Sequence, residues 1–118
     1  MTLIIGGAEQ GKLAFALRLT GLTEAHVTHD PRSPQPIVTG LAQWLRDTED
    51  PWPALNALLA AYPDACLLCD EVGCGVVPIS GEDRRWRERV GRTCCALAEQ
   101  AERVIRLYCG IPTIIKGA

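Results

Sequence analysis

A chain of 118 residues that is 47% hydrophobic can bury one core and is too short for two, so residues 1–118 read as a single domain. A formal charge of -2 gives no general attraction to nucleic acid, no apolar run reaches the ~18 residues of a membrane span, and the N-terminus lacks the basic-then-apolar pattern of a signal peptide. The expectation is a cytoplasmic protein with no nucleic-acid partner and no membrane span, whose six cysteines are free thiols in a reducing compartment.

The first element is the short β-branched run Leu3-Ile4-Ile5, a strand that enters a glycine-bearing turn. The turn opens into Leu13, Phe15, Ala16, Leu17 and Leu19, which read as a helix. Between them Gly6, Gly11 and Lys12 fall on the spacing G-x-x-x-x-G-K, in which loop amides cradle a polyphosphate and the lysine reaches its outer phosphates. A plain glycine-rich strand-to-helix turn would also carry these glycines. The lysine and the preceding strand favour phosphate, so Gly6, Gly7, Ala8, Glu9, Gln10, Gly11, Lys12 and Leu13 are the candidate nucleotide-binding residues. Leu13 stands where the motif has Ser or Thr, whose hydroxyl ligates the nucleotide's Mg2+, so magnesium binding is expected to be weakened.

Gly21 ends that helix, and Ala25-His26-Val27-Thr28 reads as a second strand ending at Asp30-Pro31. His26 and His29 are the two histidines; three residues apart in a strand they share no face, and no carboxylate partner is visible, so both read as solvent or loop residues. Three prolines in residues 31–36 mark a loop. Thr39 then caps a helix with Leu41, Trp44 and Leu45 inward, Asp50-Pro51-Trp52-Pro53 interrupts it, and a further helix runs through Leu55, Leu58 and Leu59 to Tyr62-Pro63. Trp44 and Trp52 read as core and hinge packing.

Ala65-Cys66-Leu67-Leu68-Cys69-Asp70-Glu71 is an apolar run ending in two acids, as expected of a central parallel strand buried on both faces. Acids at the carboxyl end of such a strand face the ligand crevice, so Asp70 and Glu71 are candidate metal ligands or orienters of an acceptor hydroxyl, with helix-capping or loop acids as the plainer reading. Cys66 and Cys69 have C-x-x-C spacing, but in a strand they point to opposite faces and do not make a metal pair.

Gly73-Cys74-Gly75 reads as a loop that brings backbone close to a ligand or turns sharply. Ser80 and Asp83 then cap a long helix with Trp86, Val90, Cys94, Leu97 and Ala101 as its buried stripe. Arg84, Arg85, Arg87, Arg89 and Arg92, interleaved with Glu82, Asp83 and Glu88, read as its solvated face. Val104-Ile105-Arg106-Leu107-Tyr108-Cys109 is expected as the last strand, ended by Gly110-Ile111-Pro112. Strands alternating with helices predict βαβ units and an α/β fold, a mostly parallel sheet of about four strands flanked by helices.

At Glu71-Val72-Gly73-Cys74-Gly75-Val76-Val77-Pro78 the chain resembles the bifunctional adenosylcobinamide kinase/adenosylcobinamide-phosphate guanylyltransferase family of cobalamin biosynthesis, whose segment here is Asn-Glu-Val-Gly-x-Gly-x-Val-Pro. The family's Arg-Phe-Arg-Asp and Gly-Arg are similar to Arg85-Trp86-Arg87-Glu88 and Gly91-Arg92, and its closing Gly-x-Pro and lysine to Gly110, Pro112 and Lys116. Its Gly-Gly-x-x-Ser-Gly-Lys-Ser is matched at Gly6, Gly7, Gly11 and Lys12, and Trp44-Leu45 echoes its Leu-Trp-Leu helix. The resemblance covers residues 1–30 and about 64–118.

It implies a P-loop NTPase-like character for that sheet, ATP or GTP as nucleotide with Mg2+, phosphorylation of the aminopropanol hydroxyl of adenosylcobinamide, GMP transfer through a guanylylated histidine, and a homo-oligomer. The chain is shorter between its second strand and Trp44, where the family carries that histidine, so neither His26 nor His29 inherits the role. The family's aspartate before Leu-Trp-Leu aligns with Thr39, and its loop serines with Gln10 and Leu13. The leading reading is a purine nucleotide-binding kinase of this type acting on a cobinamide-like alcohol, with Lys12, Asp70 and Glu71 as catalytic candidates and no guanylyltransferase histidine. The alternative is a catalytically inactive nucleotide- or corrinoid-binding module.

Overall fold

A computed structural model describes residues 1–8, 10–72 and 80–117. Six strands form one sheet in the order β2-β3-β4-β1-β5-β6. These are β1 (Thr2–Gly6), β2 (Val27–Thr28), β3 (Ile37–Val38), β4 (Cys66–Asp70), β5 (Arg103–Tyr108) and β6 (Ile111–Lys116). The first five run parallel, and β6 folds back antiparallel on β5. The helices are α1 (Lys12–Thr20), α2 (Leu41–Trp44), α3 (Trp52–Ala61) and α4 (Gly81–Gln100).

Strand alternation divides the core between the two faces of the sheet. Leu3, Val38, Leu67, Cys69 and Val104 pack with Leu41, Leu45, Leu55, Leu58, Trp86, Val90 and Leu97 of α2, α3 and α4. Ile4, Ile37, Cys66, Leu68 and Leu107 pack on the opposite face with Ala16 of α1, flanked by Leu13, Phe15 and Leu17. Leu67 and Leu68 are both fully buried, each worth about 1.5–3 kcal/mol of apolar burial, which is why β4 reads as an unbroken apolar run. Cys66 and Cys69 lie on opposite faces, as their spacing requires, and no group of three His, Cys, Asp or Glu able to hold a metal occurs among the described residues.

Several expectations are corrected. The sheet has six strands where about four were expected, because β3 is only two residues long and follows the proline loop, and because Pro112 lies inside β6 rather than ending the sheet. Pro112 pairs with Leu107, the step after the Tyr108–Ile111 pair that closes a two-residue turn, so its missing N–H lies on the free edge of the sheet where no ladder bond is lost. The strand expected at residues 25–28 is a 3-10 turn over Glu24–His26 followed by the shorter β2. Thr39 does not cap α2; Gly40 does, at φ 69.

Other signals hold. Ser80 caps α4, its Oγ accepting from the Asp83 amide, and Trp86, Val90 and Leu97 are buried, with Thr93 joining them and Cys94 half-buried. Trp44 and Trp52 pack against the larger core. The arginine row is only partly a solvated face: Arg89 turns inward and donates to the Leu45 carbonyl at 2.6 Å. Lys116 donates to the carbonyls of Ala98 and Glu99 at 2.9 and 2.8 Å, closing the C-terminal end of α4. No described helix is long and apolar enough to cross a membrane.

Candidate functional site

The phosphate-loop candidate sits where β1 and β4 end side by side, Gly6 opposite Asp70. Gly6 is required there by close approach, since a Cβ on it would stand 2.7 Å from the Leu107 carbonyl oxygen of β5. Gly11 takes φ 86 and starts α1, whose first-turn amides and positive dipole end face the loop. Lys12 is the first residue of α1, and its stem turns back across the loop. Its Nζ donates to the carbonyls of Gly7 at 2.7 Å and Gly6 at 3.3 Å and pairs with Asp70 Oδ1 at 2.7 Å. Lys12 is buried and the Asp70 side chain about a third exposed (32%), so the ion pair lies at the edge of solvent.

The two candidate acids diverge, as consecutive residues at a strand end must. Asp70 meets Lys12, whereas Glu71 is held in a fork by Arg106 of β5, Nε to Oε1 at 2.8 Å and Nη2 to Oε2 at 3.1 Å. Glu71 also donates its amide to the Gly6 carbonyl at 2.8 Å. Asp70 is therefore the carboxylate at the loop, and Glu71 fastens β4 to β5 across the end of β1. A cavity of about 280 Å³ is lined by Gln10, Gly11, Lys12, Leu13, Thr39 and Asp70. The structure thus brings Thr39, expected as a helix cap, to the wall of the site. A second cavity of about 280 Å³ lies on the α4 side of Asp70, among Ile5, Glu71, Val72, Val90, Cys94 and Cys95.

Gln10 ties the loop to a distant turn through both its side-chain and its main-chain oxygen. Its Oε1 accepts from the Cys109 amide at 2.5 Å and its main-chain oxygen from the Gly110 amide at 3.1 Å, both in the turn between β5 and β6. Nothing in spacing or periodicity signals that contact. Glu9 and the glycine segment at 73–78 lie outside the described residues, as does the Gly73-Cys74-Gly75 loop.

His26 Nδ1 accepts from the Thr23 amide at 3.3 Å and is taken up in capping a 3-10 turn. The His29 ring lies against the start of α2: a Cβ on Gly40 would stand 3.6 Å from its Cδ2, one residue from Thr39. A larger cavity of about 430 Å³ beside Arg46, Arg85, Trp86 and Arg89 has no loop residue in its wall, and Asp47, Glu49 and Glu82 match its three arginines, so it offers no net charge to a polyphosphate. The buried thiols are poor candidates for nucleophiles: the hydrogen bond with Cys94 and then burial push the Cys69 thiol's pKa up, and burial likewise raises that of Cys66.

A divalent cation fits this donor set. A triphosphate in the loop would bring its charge beside the Asp70 carboxylate, and a cation between them removes that repulsion. Asp70 and the Thr39 hydroxyl are the side-chain oxygens of the described cavity wall that could hold it, since the Gln10 Oε1 is bonded to the Cys109 amide, and Leu13 supplies none.

No curated protein matches the chain. Residues 38–115 match the family described as cobinamide kinase/cobinamide phosphate guanyltransferase. The match takes in α2 and α3, where the sequence resemblance rests only on Trp44-Leu45, and it begins after the phosphate loop, so membership and the loop geometry are separate observations. With well over half of its 118 residues matched, the chain belongs to the cobinamide kinase/cobinamide phosphate guanyltransferase family of cobalamin biosynthesis.

Proposed function

We propose that residues 1–118 act as one nucleotide-binding unit that takes ATP or GTP in the loop at Gly6, Gly7, Ala8, Gln10, Gly11 and Lys12 and transfers its terminal phosphoryl group to a cobinamide-like alcohol. The observation that carries this is the Lys12 ammonium, spanning the loop to the Gly6 and Gly7 carbonyls and standing 2.7 Å from Asp70 at the strand ends. Phosphoryl transfer asks a protein mainly for positioning and for charge matched to the transferring group. Lys12 supplies the positive charge, the α1 amides the cradle, and Asp70 the carboxylate that would hold Mg2+, which neutralises phosphate charge when bound.

Guanylyl transfer is not part of the proposal, because covalent transfer needs an imidazole within reach of the α-phosphate. His26 is bound to its own turn, and His29 faces α2. A nucleotide-binding module without transfer is the second reading, favoured by Leu13, which gives magnesium no hydroxyl.

The test is incubation with adenosylcobinamide and ATP or GTP labelled on the γ-phosphate. Label in the corrinoid that is lost in Asp70→Asn supports the kinase. Nucleotide binding without labelled corrinoid supports the second reading, and absence of nucleotide binding refutes both. GTP labelled on the α-phosphate should leave no label on the protein; label abolished by His29→Ala would restore the guanylyl step.

A further inference from the structure

We infer that Gln10 is a positioning residue, a latch that fastens the phosphate loop to the β5–β6 turn so that the two move as one body; the inference rests on the nucleotide reading above. The turn consists of Cys109 and Gly110, both in the left-handed region at φ 52 and 75, between the paired residues Tyr108 and Ile111. A two-residue turn of this kind satisfies its flanking residues and leaves the amides of its two central residues without ladder partners. Both amides are taken by Gln10, that of Cys109 by the side-chain oxygen at 2.5 Å and that of Gly110 by the main-chain oxygen at 3.1 Å. The contact is close along its length, since a Cβ on Gly11 would lie 3.7 Å from the Gly110 Cα.

Cys109 is the one non-glycine residue with positive φ among the described residues, a conformation that costs a cysteine energy and that the Gln10 carbonyl helps to hold. Lys12 closes the loop at its start by bonding Gly6 and Gly7, and Gln10 ties its far end to the hairpin. A loop held at both ends has less freedom left to lose when a polyphosphate enters, which raises affinity without any contact between the Gln10 side chain and the ligand. A serine hydroxyl at position 10 would sit closer to its own backbone and reach less far, so the glutamine is a different device rather than a lost phosphate ligand.

The test compares wild type, Gln10→Ala and Gln10→Glu by calorimetry with ATP and GTP and by amide hydrogen exchange at Cys109 and Gly110. In Gln10→Ala the Cys109 amide should exchange faster, and nucleotide should bind about fivefold more weakly, the scale of one neutral hydrogen bond. The thermal midpoint should hold, because an exposed amide finds water. Gln10→Glu keeps an acceptor and should restore Cys109 protection. Nucleotide binding should slow exchange at both amides in wild type and less so in Gln10→Ala, which a merely structural side chain would not do. Unchanged exchange, or unchanged affinity beside a wild type that binds, overturns this inference alone; a wild type that binds neither nucleotide overturns the nucleotide reading and the positioning role together.

Discussion

Replacing Lys12 by methionine keeps the aliphatic stem that lies in the loop and removes only the ammonium, so it isolates the charge. Three contacts disappear: the donors to Gly6 and Gly7 and the pair with Asp70. Breaking a fully buried ion pair costs about 3–5 kcal/mol, but Asp70 is about a third exposed (32%), and water takes over much of its solvation. The stability loss should therefore be about 1–2 kcal/mol, which for a chain of 118 residues lowers the thermal midpoint by about 3–10 °C. Binding should suffer more. A charge-assisted contact to phosphate is worth about 1.5–3 kcal/mol, so ATP and GTP should bind about 10- to 150-fold more weakly. Calorimetry at a temperature where both proteins are folded separates the two effects. A Lys12→Met protein that binds either nucleotide within twofold of wild type would refute the assignment of Lys12 to phosphate, whatever its stability.

Leu13→Ser should make nucleotide binding more dependent on magnesium, read as the affinity ratio with and without the ion; strong dependence already in wild type would mean that Asp70 suffices. Trp86→Phe removes the Nε1 donor that lies 2.7 Å from the Ala42 carbonyl and leaves a smaller phenyl ring in place of the indole over which Arg46 stacks at 3.9 Å. It should cost about 1–3 kcal/mol in urea unfolding while leaving nucleotide affinity unchanged, and a neutral result would show that water replaces the indole. A thiol reagent should modify Cys95 and Cys109 rapidly in the native protein and Cys66 and Cys69 only on unfolding, because the first two are exposed and the last two are buried with raised pKa values. Fast native modification of Cys66 would contradict the packing of β4.

The parts of this fold written as local patterns were legible before the structure. The strand, glycine turn, lysine and helix of the loop, the apolar run of β4 and the stripe of α4 all follow from spacing along a single element. What escaped depends on partners distant in sequence. β3 is two residues whose strand character comes from pairing with Cys66 and Leu67, and β6 hides a proline at a register position where it does no harm. The site divides in the same way. Motif and strand end single out Lys12 and Asp70 as candidates, and the structure places their charges 2.7 Å apart. Glu71 looked equivalent to Asp70, and only the fold shows Arg106 holding it on the other side. Thr39 and Gln10 acquire their places through β4, α1 and the distant turn, for which no periodicity could stand proxy.

The central place of β1 has a consequence for how the site comes into being. Thr2 is opposite both Cys66 and Arg103, so the strand that launches the phosphate loop is flanked on each side by strands far along the chain. Such non-local pairings form slowly, since a long loop must close before its contacts repay the closure. A nascent chain that has not yet released β5 leaves one edge of β1 open and offers Gln10 no turn to bind. On the proposed function, competence to hold a phosphate would therefore arrive late, as a property of the closed sheet rather than of the first twelve residues, and an N-terminal fragment carrying the whole motif would lack the turn that Gln10 binds.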